Sequence, residues 1–504
     1  MLKFDIIIFT HKFDISNKSQ DIKMVFSSLF FVFFFLAVSY GCYFFARKMK
    51  TRNIILLVSS LIFYAWGGPV LVLLLCLMTF ICWSGAIIVD GEWDKKKRKA
   101  ICGVVAAICI AILFIFKYIN FTADIFSSIF GVENLLPSVA LPIGISFYTF
   151  QLLSYVVDVC RGEVEAQKKY WILLLYASLF HQCIAGPIVR YADVNRDIES
   201  RVVAREEVSA GISRFSIGLA KKAILANGCG EICDSIFNNA DGIALTADGI
   251  ANLSSAAILL GAFCFMLQIY LDFSAYSDMA IGMGLMVGFH YKENFNYPYI
   301  ADSVTDFWRR WHISLSTFFR DYVYIPMGGN RVSIPRHILN MFTVWALTGI
   351  WHGANWNFII WGLYFFVFLV LEKYLIKPKK ESALPWRILR ITGTLIVIFF
   401  SFMIFKFTDL ASLGEAFIGI FNSNGKGFGD IQTASIFKNN IFFIIISCLA
   451  CTPVIPTLSA LAKKNPLSEK IWAIAGAITP AILVILSSFA LAGDSYNPFL
   501  YLRF

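Results

Sequence analysis

Two histidines stand where the chain is otherwise apolar or aromatic. His352 lies in TGIWHGANWNFIIWG (348–362), between a tryptophan and a glycine, and His312 lies in DFWRRWHISLSTFFRD (306–321). An imidazole titrates near neutral pH, so either residue is suited to take the proton of a hydroxyl nucleophile. General base catalysis of that kind typically supplies 10²–10⁴-fold, roughly 3–5 kcal/mol of barrier. A covalent acyl-histidine relay would use the same side chain, and the sequence leaves base and relay both open. A histidine on an apolar face is more often a packed core residue than a catalyst, so the surroundings have to decide.

Around His312, helical spacing brings Trp308, His312 and Ser316 to one face, with Arg309 beside them and Trp311 adjacent in sequence. Arginine forks suit phosphates, which makes this face a candidate receiver for an anionic donor. The competing reading of 301–336 is an amphipathic helix among lipid headgroups, with an aromatic belt and snorkelling arginines, and it does not need His312. Gly328-Gly329-Asn330 marks the turn that ends this block. From Pro335 to His352 is about sixteen apolar residues, roughly 24 Å of helix and short of a full crossing. Asn355 and Asn357 follow, then a second apolar run to Leu371. The pair is predicted to form a hairpin with His352, Gly353 and Asn355 at its apex, near the outer membrane boundary. The missing side chain of Gly353 is expected to let a ligand approach the ring.

A third polar set is Gln268, Asp272 and Tyr276, at i, i+4 and i+8 of the run 253–291. An aspartate at a bilayer centre costs roughly 2.5–3.5 kcal/mol, so it either ties helices together or lines an internal cavity. One helix over the whole run would reach about 58 Å, roughly twice the hydrocarbon thickness, so a break, a bend or an interfacial portion is expected. Gly284 and Gly288 are expected at a close helix–helix contact.

The elements that position these residues are membrane helices. Of 504 residues, 58% are hydrophobic, only 15% are charged and 50 are phenylalanine. Mean hydropathy is +0.70. Soluble domains are about 45–50% apolar and about 25% charged, so the chain is displaced both ways. Apolar runs of spanning length recur throughout, which predicts an all-α polytopic membrane protein of about eleven spans with re-entrant and amphipathic pieces. The net charge of +10 sits in clusters between those runs, reads as topology and gives no sign of nucleic-acid binding. The clusters are Arg47 to Arg52, Lys95 to Lys99, Lys168 with Lys169, Lys377 to Lys380, and Lys463 with Lys464. The positive-inside rule puts all five in the cytoplasm, with two spans between the first and second, two between the second and third, and the N-terminus outside. The segment 189–222 mixes both signs and does not resolve. Residues 1–23 are too polar to span and read as an N-terminal extension to a single membrane domain, 24–504. Twelve cysteines show no CxxC pair and no metal-type cluster, and Cys229 and Cys233 merely share a helix face. No metal and no permanently bound cofactor is expected. His181, His290 and His337 read as structural or interfacial.

The stretches DFWRRWHISLSTFFRDYVYIPMGGNR (306–331) and LTGIWHGANWNFIIWGLYF (347–365) resemble the membrane-bound O-acyltransferase (MBOAT) family. They look like its branch of bacterial polysaccharide O-acetyltransferases, typified by the alginate O-acetyltransferase membrane subunit. NIILLVSSLIFYAWGGP (53–69), LPIGISFYTFQLLSYVVDVCRGE (141–163), IAGPIVRY (184–191), QIYLDFSAYSDMAIGMG (268–284) and ENFNYPYIADS (293–303) are similar as well. The likeness runs from about Met24 to Phe504 and is weakest in 190–260 and 375–450. Departures are KFTDL (406–410), where this branch usually carries an arginine, and His181 with Cys183 in FHQCIAGPI (180–188).

The resemblance implies helices around a tunnel through the bilayer, in a bacterial cell membrane. It assigns the family's near-invariant histidine to His352 and its second motif histidine to His312. It also implies transfer of an acetyl group from cytoplasmic acetyl-CoA towards an extracellular polysaccharide or cell-wall polymer. Little hydrophilic chain projects outside, the largest candidate being about 410–440, so a separate extracytoplasmic SGNH-type esterase-like protein is the expected partner. Two alternatives stay open: D-alanyl transfer to teichoic acid within the same family, and a transporter or flippase, for which buried carboxylates and broken helices would argue.

Overall fold

The computed structural model describes residues 26–132, 139–183, 186–376 and 383–493. The extension 1–23, the basic cluster at Lys377, Lys379 and Lys380, and the first two residues of IAGPIVRY lie outside the described residues. Among the described residues the chain is built of helices, with one isolated bridge between Asn238 and Ala244. Seven helices among the described residues are long and apolar enough to cross a bilayer: Pro69–Val89, Lys95–Phe130, Ser255–Met286, Trp356–Ile376, Leu384–Lys406, Ile431–Ala450 and Pro466–Gly493. Shorter apolar helices, Phe31–Phe45 and Leu410–Asn422, join them. The Met49–Trp66 and Ile145–Arg161 helices pack in the same bundle. This is an all-α multi-pass membrane protein.

Position in the bundle follows from what each helix covers. The apolar window of Ser255–Met286 is 78% buried against protein, whereas that of Pro466–Gly493 is only 6% buried. The first is the central helix, and the second leaves most of its surface to lipid. The central helix begins at a Ser254 cap, whose hydroxyl accepts from Ala257 N, and runs unbroken for 32 residues. At 1.5 Å per residue that is about 48 Å. Of the break, bend or interfacial portion expected, no break occurs: the helix ends at Met286, Gly288 follows with a left-handed φ of 83°, and a length beyond the hydrocarbon thickness leaves part of the helix to the interface.

The close helix contact is made at Gly282, two residues before the first of the expected glycines. A Cβ on Gly282 would stand 2.7 Å from Gly211 O, and one on Gly211 would stand 2.7 Å from Gly282 O, so the two helix backbones touch there. Gly284 faces the Tyr291 ring instead. Gly282 and Gly284 lie two residues apart and so point to nearly opposite sides of the helix; Gly282 meets Arg205–Ala220.

Side-chain bonds gather the first three basic clusters at one end of the bundle. Asn53 Nδ2 donates to Ile198 O (2.8 Å), Gln167 Nε2 to Tyr191 Oη (2.8 Å) and Arg98 Nη2 to Val159 O (2.9 Å). Lys117 stands 22 residues beyond Lys95 on the same helix, about 33 Å along its axis. Whatever meets Lys117 is therefore a bilayer's thickness from the basic end, measured along that helix.

Two hydrophobic cores form. One is built around Phe31, Phe63, Tyr148, Phe180 and Trp351, the other around Trp308, Trp345, Phe358, Trp361 and Phe405. The central helix belongs to both, with Phe273 in the second and Tyr276 in the first. Trp351 and Trp361 bracket His352 from opposite cores, and Trp311 and Leu315 do the same for His312. Both histidines lie on the seam.

Candidate active site

The 301–336 block is not one amphipathic helix. It divides into Val304–Arg310, Ile313–Phe319 and a wider π-type turn, Arg320–Tyr324. The division falls on His312, whose backbone is left-handed at φ 44° and ψ 55°. That region is uncommon for a non-glycine residue and persists only where neighbours over-determine it. Asn294 is the neighbour: its carbonyl accepts from Ile313 N (2.9 Å), and its Oδ1 accepts from Ser314 N (3.2 Å) and Ser314 Oγ (2.9 Å). His312 Nδ1 lies 3.2 Å from the same Oδ1, while Asn294 Nδ2 donates to Ser277 Oγ (3.1 Å). Because the amide oxygen can only accept, Nδ1 carries the proton and Nε2 is the basic nitrogen of His312. The ring is fully buried, edge-on to Phe273 with centroids 4.7 Å apart. The left-handed residue also takes Trp308, His312 and Ser316 off a single helical face. Nothing in local spacing announced this, because Asn294 is remote in sequence.

His352 ends the Ile334–His352 helix, and Trp356–Leu371 returns beside it, so the expected hairpin is present. The two helices cross where Gly349 and Gly362 meet backbone to backbone: a Cβ on Gly349 would stand 2.5 Å from Phe358 O. The His352 ring is held edge-on among Trp361, Trp351 and Phe405, with centroids 4.7, 4.9 and 5.3 Å away. Asn357 Nδ2 bonds the carbonyls of Ile404 (3.2 Å) and Phe405 (3.1 Å), which fixes the Phe405 wall of that cage. The space beside Gly353 is not open to a ligand. A Cβ there would fall 2.3 Å from the Phe358 ring, so the glycine is needed to admit Phe358.

The remaining sequence candidates separate. Trp308 is buried and reaches the cage through Trp361, with centroids 5.7 Å apart, and Ser316 Oγ donates to Trp308 O (3.3 Å). Trp311 is packed by Tyr270, Phe295, Phe307 and Phe402. Arg309 is exposed, and its neighbour Arg310 pairs with Asp306 at 2.8 Å. Arg190 and Arg320 instead line a cavity of about 190 Å³ together with Lys292 and with Ile313 and Ser314, the two residues that follow His312. Both arginines bond Asp321, at 2.6 and 2.7 Å. Gln268, Asp272 and Tyr276 are buried, but Asp272 turns to Lys222 at 2.8 Å and Tyr276 stacks on Phe26 at 5.5 Å. Their helix reaches His312 through Phe273. Asn355 lines a second cavity of about 500 Å³ at the hairpin apex, with Ala354, Phe358, Asp234 and Lys406.

Among the described residues no group of three His, Cys, Asp or Glu side chains could hold a metal. All twelve cysteines are free thiols, most of them buried. His181 and His337 are held by tyrosines, His181 Nδ1 by Tyr291 (2.9 Å) and the two His337 nitrogens by Tyr324 (2.6 Å) and Tyr374 (2.5 Å). Besides the cavity's Arg190, Lys292 and Arg320, the residues near the site that escaped the sequence reading include Asn294, Lys222 and Lys117. An ionisable residue inside an apolar span is a signal in itself, and it would have found Lys117.

The model of the MBOAT, membrane-bound O-acyltransferase family matches residues 58–414, which include both histidines and both halves of the hairpin. The chain is 36% identical over 461 residues to a probable alginate O-acetylase, AlgI, of Pseudomonas aeruginosa, covering 89% of this chain and 84% of that protein. It is 31% identical over 453 residues to a peptidoglycan O-acetyltransferase of Helicobacter pylori, covering 83% and 84%. A teichoic acid D-alanyltransferase of Bacillus subtilis is 30% identical over 282 residues, covering 52% of this chain and 68% of that protein. By its matched family model and its relatives alike, the chain belongs to the membrane-bound O-acyltransferases.

Proposed function

We propose that this acyltransferase moves an acetyl group from cytoplasmic acetyl-CoA to a hydroxyl of an extracytoplasmic polysaccharide or cell-wall polymer, with His352 and His312 in the catalytic machinery. The observation that carries the reading is the placement of the two histidines. They meet on Trp351, with one cavity reaching Ile313 and Ser314 just after His312 and a larger one at the apex beyond His352. The acetylated polymers named for the alginate and peptidoglycan relatives give the acceptor class.

In this reading the donor's phosphates lie against Arg190, Lys292 and Arg320, whose forks and ammonium suit them. The thioester reaches the seam past His312. At His352 the imidazole takes the acceptor's hydroxyl proton as the oxygen attacks the acyl carbon. The carbon–sulfur bond breaks, and CoA leaves as the thiol with that proton. A relay through an acyl-histidine gives the same products in two displacements. Where the acceptor hydroxyl at His352 belongs to a separate extracytoplasmic SGNH-type protein docked at the outer cavity, that protein then passes the acetyl on: a polymer hydroxyl attacks its ester, the old ester bond breaks, and the carrier hydroxyl is regenerated.

The test is mass spectrometry of envelope polymers from a deletion strain carrying either the native chain or His352→Ala. Acetyl esters should vanish on deletion, return with the native chain and stay absent with the variant. Full return with His352→Ala would overturn the reading, and loss of D-alanyl instead of acetyl esters would move the chain to teichoic acid modification.

A further inference from the structure

The last turn of the Ile334–His352 helix is gripped by two adjacent side chains of a different helix. Tyr118 Oη donates to Ile350 O (2.9 Å), and Lys117 Nζ donates to Trp351 O, both from Lys95–Phe130. The final carbonyls of a helix have no partner within it and carry the negative end of its dipole. Here the Ile334–His352 helix is capped from outside, on the two residues that precede His352.

Lys117 is an expensive way to make that cap. It is buried, in the middle of an apolar span, and lysine is almost never buried unless paired. Among the described residues no carboxylate pairs with it. Its ammonium is shared by Trp351 O and Ser146 Oγ (3.3 Å), and it lies 5.6 Å from the centre of the Trp351 ring. An amide or hydroxyl would satisfy one carbonyl at lower desolvation cost. What only a cation supplies is charge directed at the helix end, together with attraction to the face of Trp351. Trp351 is the residue both histidines touch.

We propose that Lys117 is a positioning residue for acyl transfer: by capping the Trp351 carbonyl and holding the Trp351 ring, it fixes the direction in which His352 presents its imidazole. This rests on His352 being the catalytic residue. A small misplacement of a reacting group costs large factors in rate while leaving substrate binding intact. The signature is therefore a loss in kcat without one in KM.

The test uses the full chain in membrane vesicles supplied with acetyl-CoA labelled in the acetyl group, reading label transferred to envelope polymer. Lys117→Met keeps the length and removes the cation; it should lower kcat about 100-fold and leave KM for acetyl-CoA within about threefold. Lys117→Arg, which keeps both donor and charge, should recover at least a tenth of native kcat. Tyr118→Phe removes the neighbouring cap by one oxygen and should lower kcat about threefold to tenfold, again with KM unchanged. It keeps the question answerable if Lys117→Met fails to fold. His352→Ala is measured alongside, and on that background Lys117→Met should cost nothing further. Native kcat in both Lys117→Met and Tyr118→Phe, with His352→Ala inactive, would overturn the positioning role alone. Native transfer by His352→Ala would overturn the catalytic reading beneath it. Equal loss in the Met and Arg variants, both folded, would also overturn the role given to the cation.

Discussion

His312 and His352 meet on one indole: their ring centroids lie 5.9 and 4.9 Å from that of Trp351. Each is fixed by different partners, His312 by Asn294 and His352 by the Trp361 and Phe405 walls. One is next to the cavity with three basic side chains, the other next to the apex cavity. Two imidazoles on one indole, each a residue or two from the lining of a different cavity, are suited to separate steps of one transfer.

The two should accordingly fail differently. His352→Ala is expected to fold, to bind acyl-CoA within about threefold of native, and to lose transfer by the 10²–10⁴ that general base catalysis supplies. His312→Ala should also lose activity, but with weaker donor binding, because His312 and Ser314 share Asn294 at the edge of the donor-side cavity. Acyl-CoA affinity and transfer rate of each purified variant, with thermal melting to exclude misfolding, decide it. Equal loss of donor binding in both would refute separate roles.

Asp272 and Lys222 form an ion pair with side chains only 3% and 1% exposed. Removing one member leaves an uncompensated buried charge, which typically costs about 3–5 kcal/mol, whereas replacing both by apolar residues is often neutral. Asp272→Leu or Lys222→Met alone should sharply lower the detergent melting temperature, and the double variant should regain most of it. If the double variant melts normally but transfers nothing, the pair serves the acyl path as well as the fold.

How much of this was legible depended on range. The hairpin carrying His352 could be read because its signals are local: an apolar run too short to cross, a WHG apex and a second apolar run. The break at His312 could not, since Asn294 creates it from 18 residues away. The paired state of Asp272 was one of two readings the sequence left open, and the choice depended on Lys222, one of two adjacent lysines in the mixed-charge segment 189–222. Arg309 looked suited to a donor because it follows Trp308, yet the chain turns at His312 and brings Arg190 and Arg320 to the cavity instead. Contacts across the bundle, not periodicity, chose among neighbouring residues of the same type.

The Gly211–Gly282 contact makes a sharper stability prediction. A methyl at either position meets backbone atoms at 2.7 Å, which cannot rotate away as a side chain could. Overpacking of that kind typically costs about 1–3 kcal/mol, so Gly211→Ala and Gly282→Ala should each melt lower than native. Gly284→Ala, which meets the Tyr291 ring, should be accommodated better if that ring shifts. A melting series of the three variants in one detergent ranks them.

At the basic end, His290 links two carboxylates: Nε2 lies 2.9 Å from Glu207 Oε1, and Nδ1 lies 3.6 Å from Asp197 Oδ2. The Glu207 bond raises its pKa above the ordinary 6.5, with burial opposing and Asp197 adding. Glu207 is correspondingly lowered, first by the same bond and then by its bond to Ala204 N. A raised folded-state value means the contact stabilises fully below the unfolded pKa and is lost as pH rises through the folded one. The gap in melting temperature between native chain and His290→Gln should therefore be largest near pH 6, with Glu207 still ionised, and close towards pH 8. The side chain is 54% exposed, so the gap should also shrink in high salt. A gap that widens with pH would contradict the assignment.

The apex cavity supplies the last prediction. It holds about 500 Å³ and opens beside Ala354 and Asn355, immediately after His352 and Gly353. If the acceptor or its carrier reaches His352 through this space, filling it should block the second half of the reaction and spare the first. Ala354 is half-buried, so a larger side chain there can turn into the cavity without displacing the Trp361 and Phe405 walls. Ala354→Trp should therefore fold, bind acyl-CoA as the native chain does, and lose polymer acetylation by at least about tenfold. Asn355→Ala, which enlarges the same cavity, should lose far less. Measured together, acyl-CoA affinity and label incorporated into polymer separate the two halves. Native polymer labelling by Ala354→Trp would mean that the acceptor approaches from elsewhere, while loss of acyl-CoA binding would mean that donor and acceptor share one chamber.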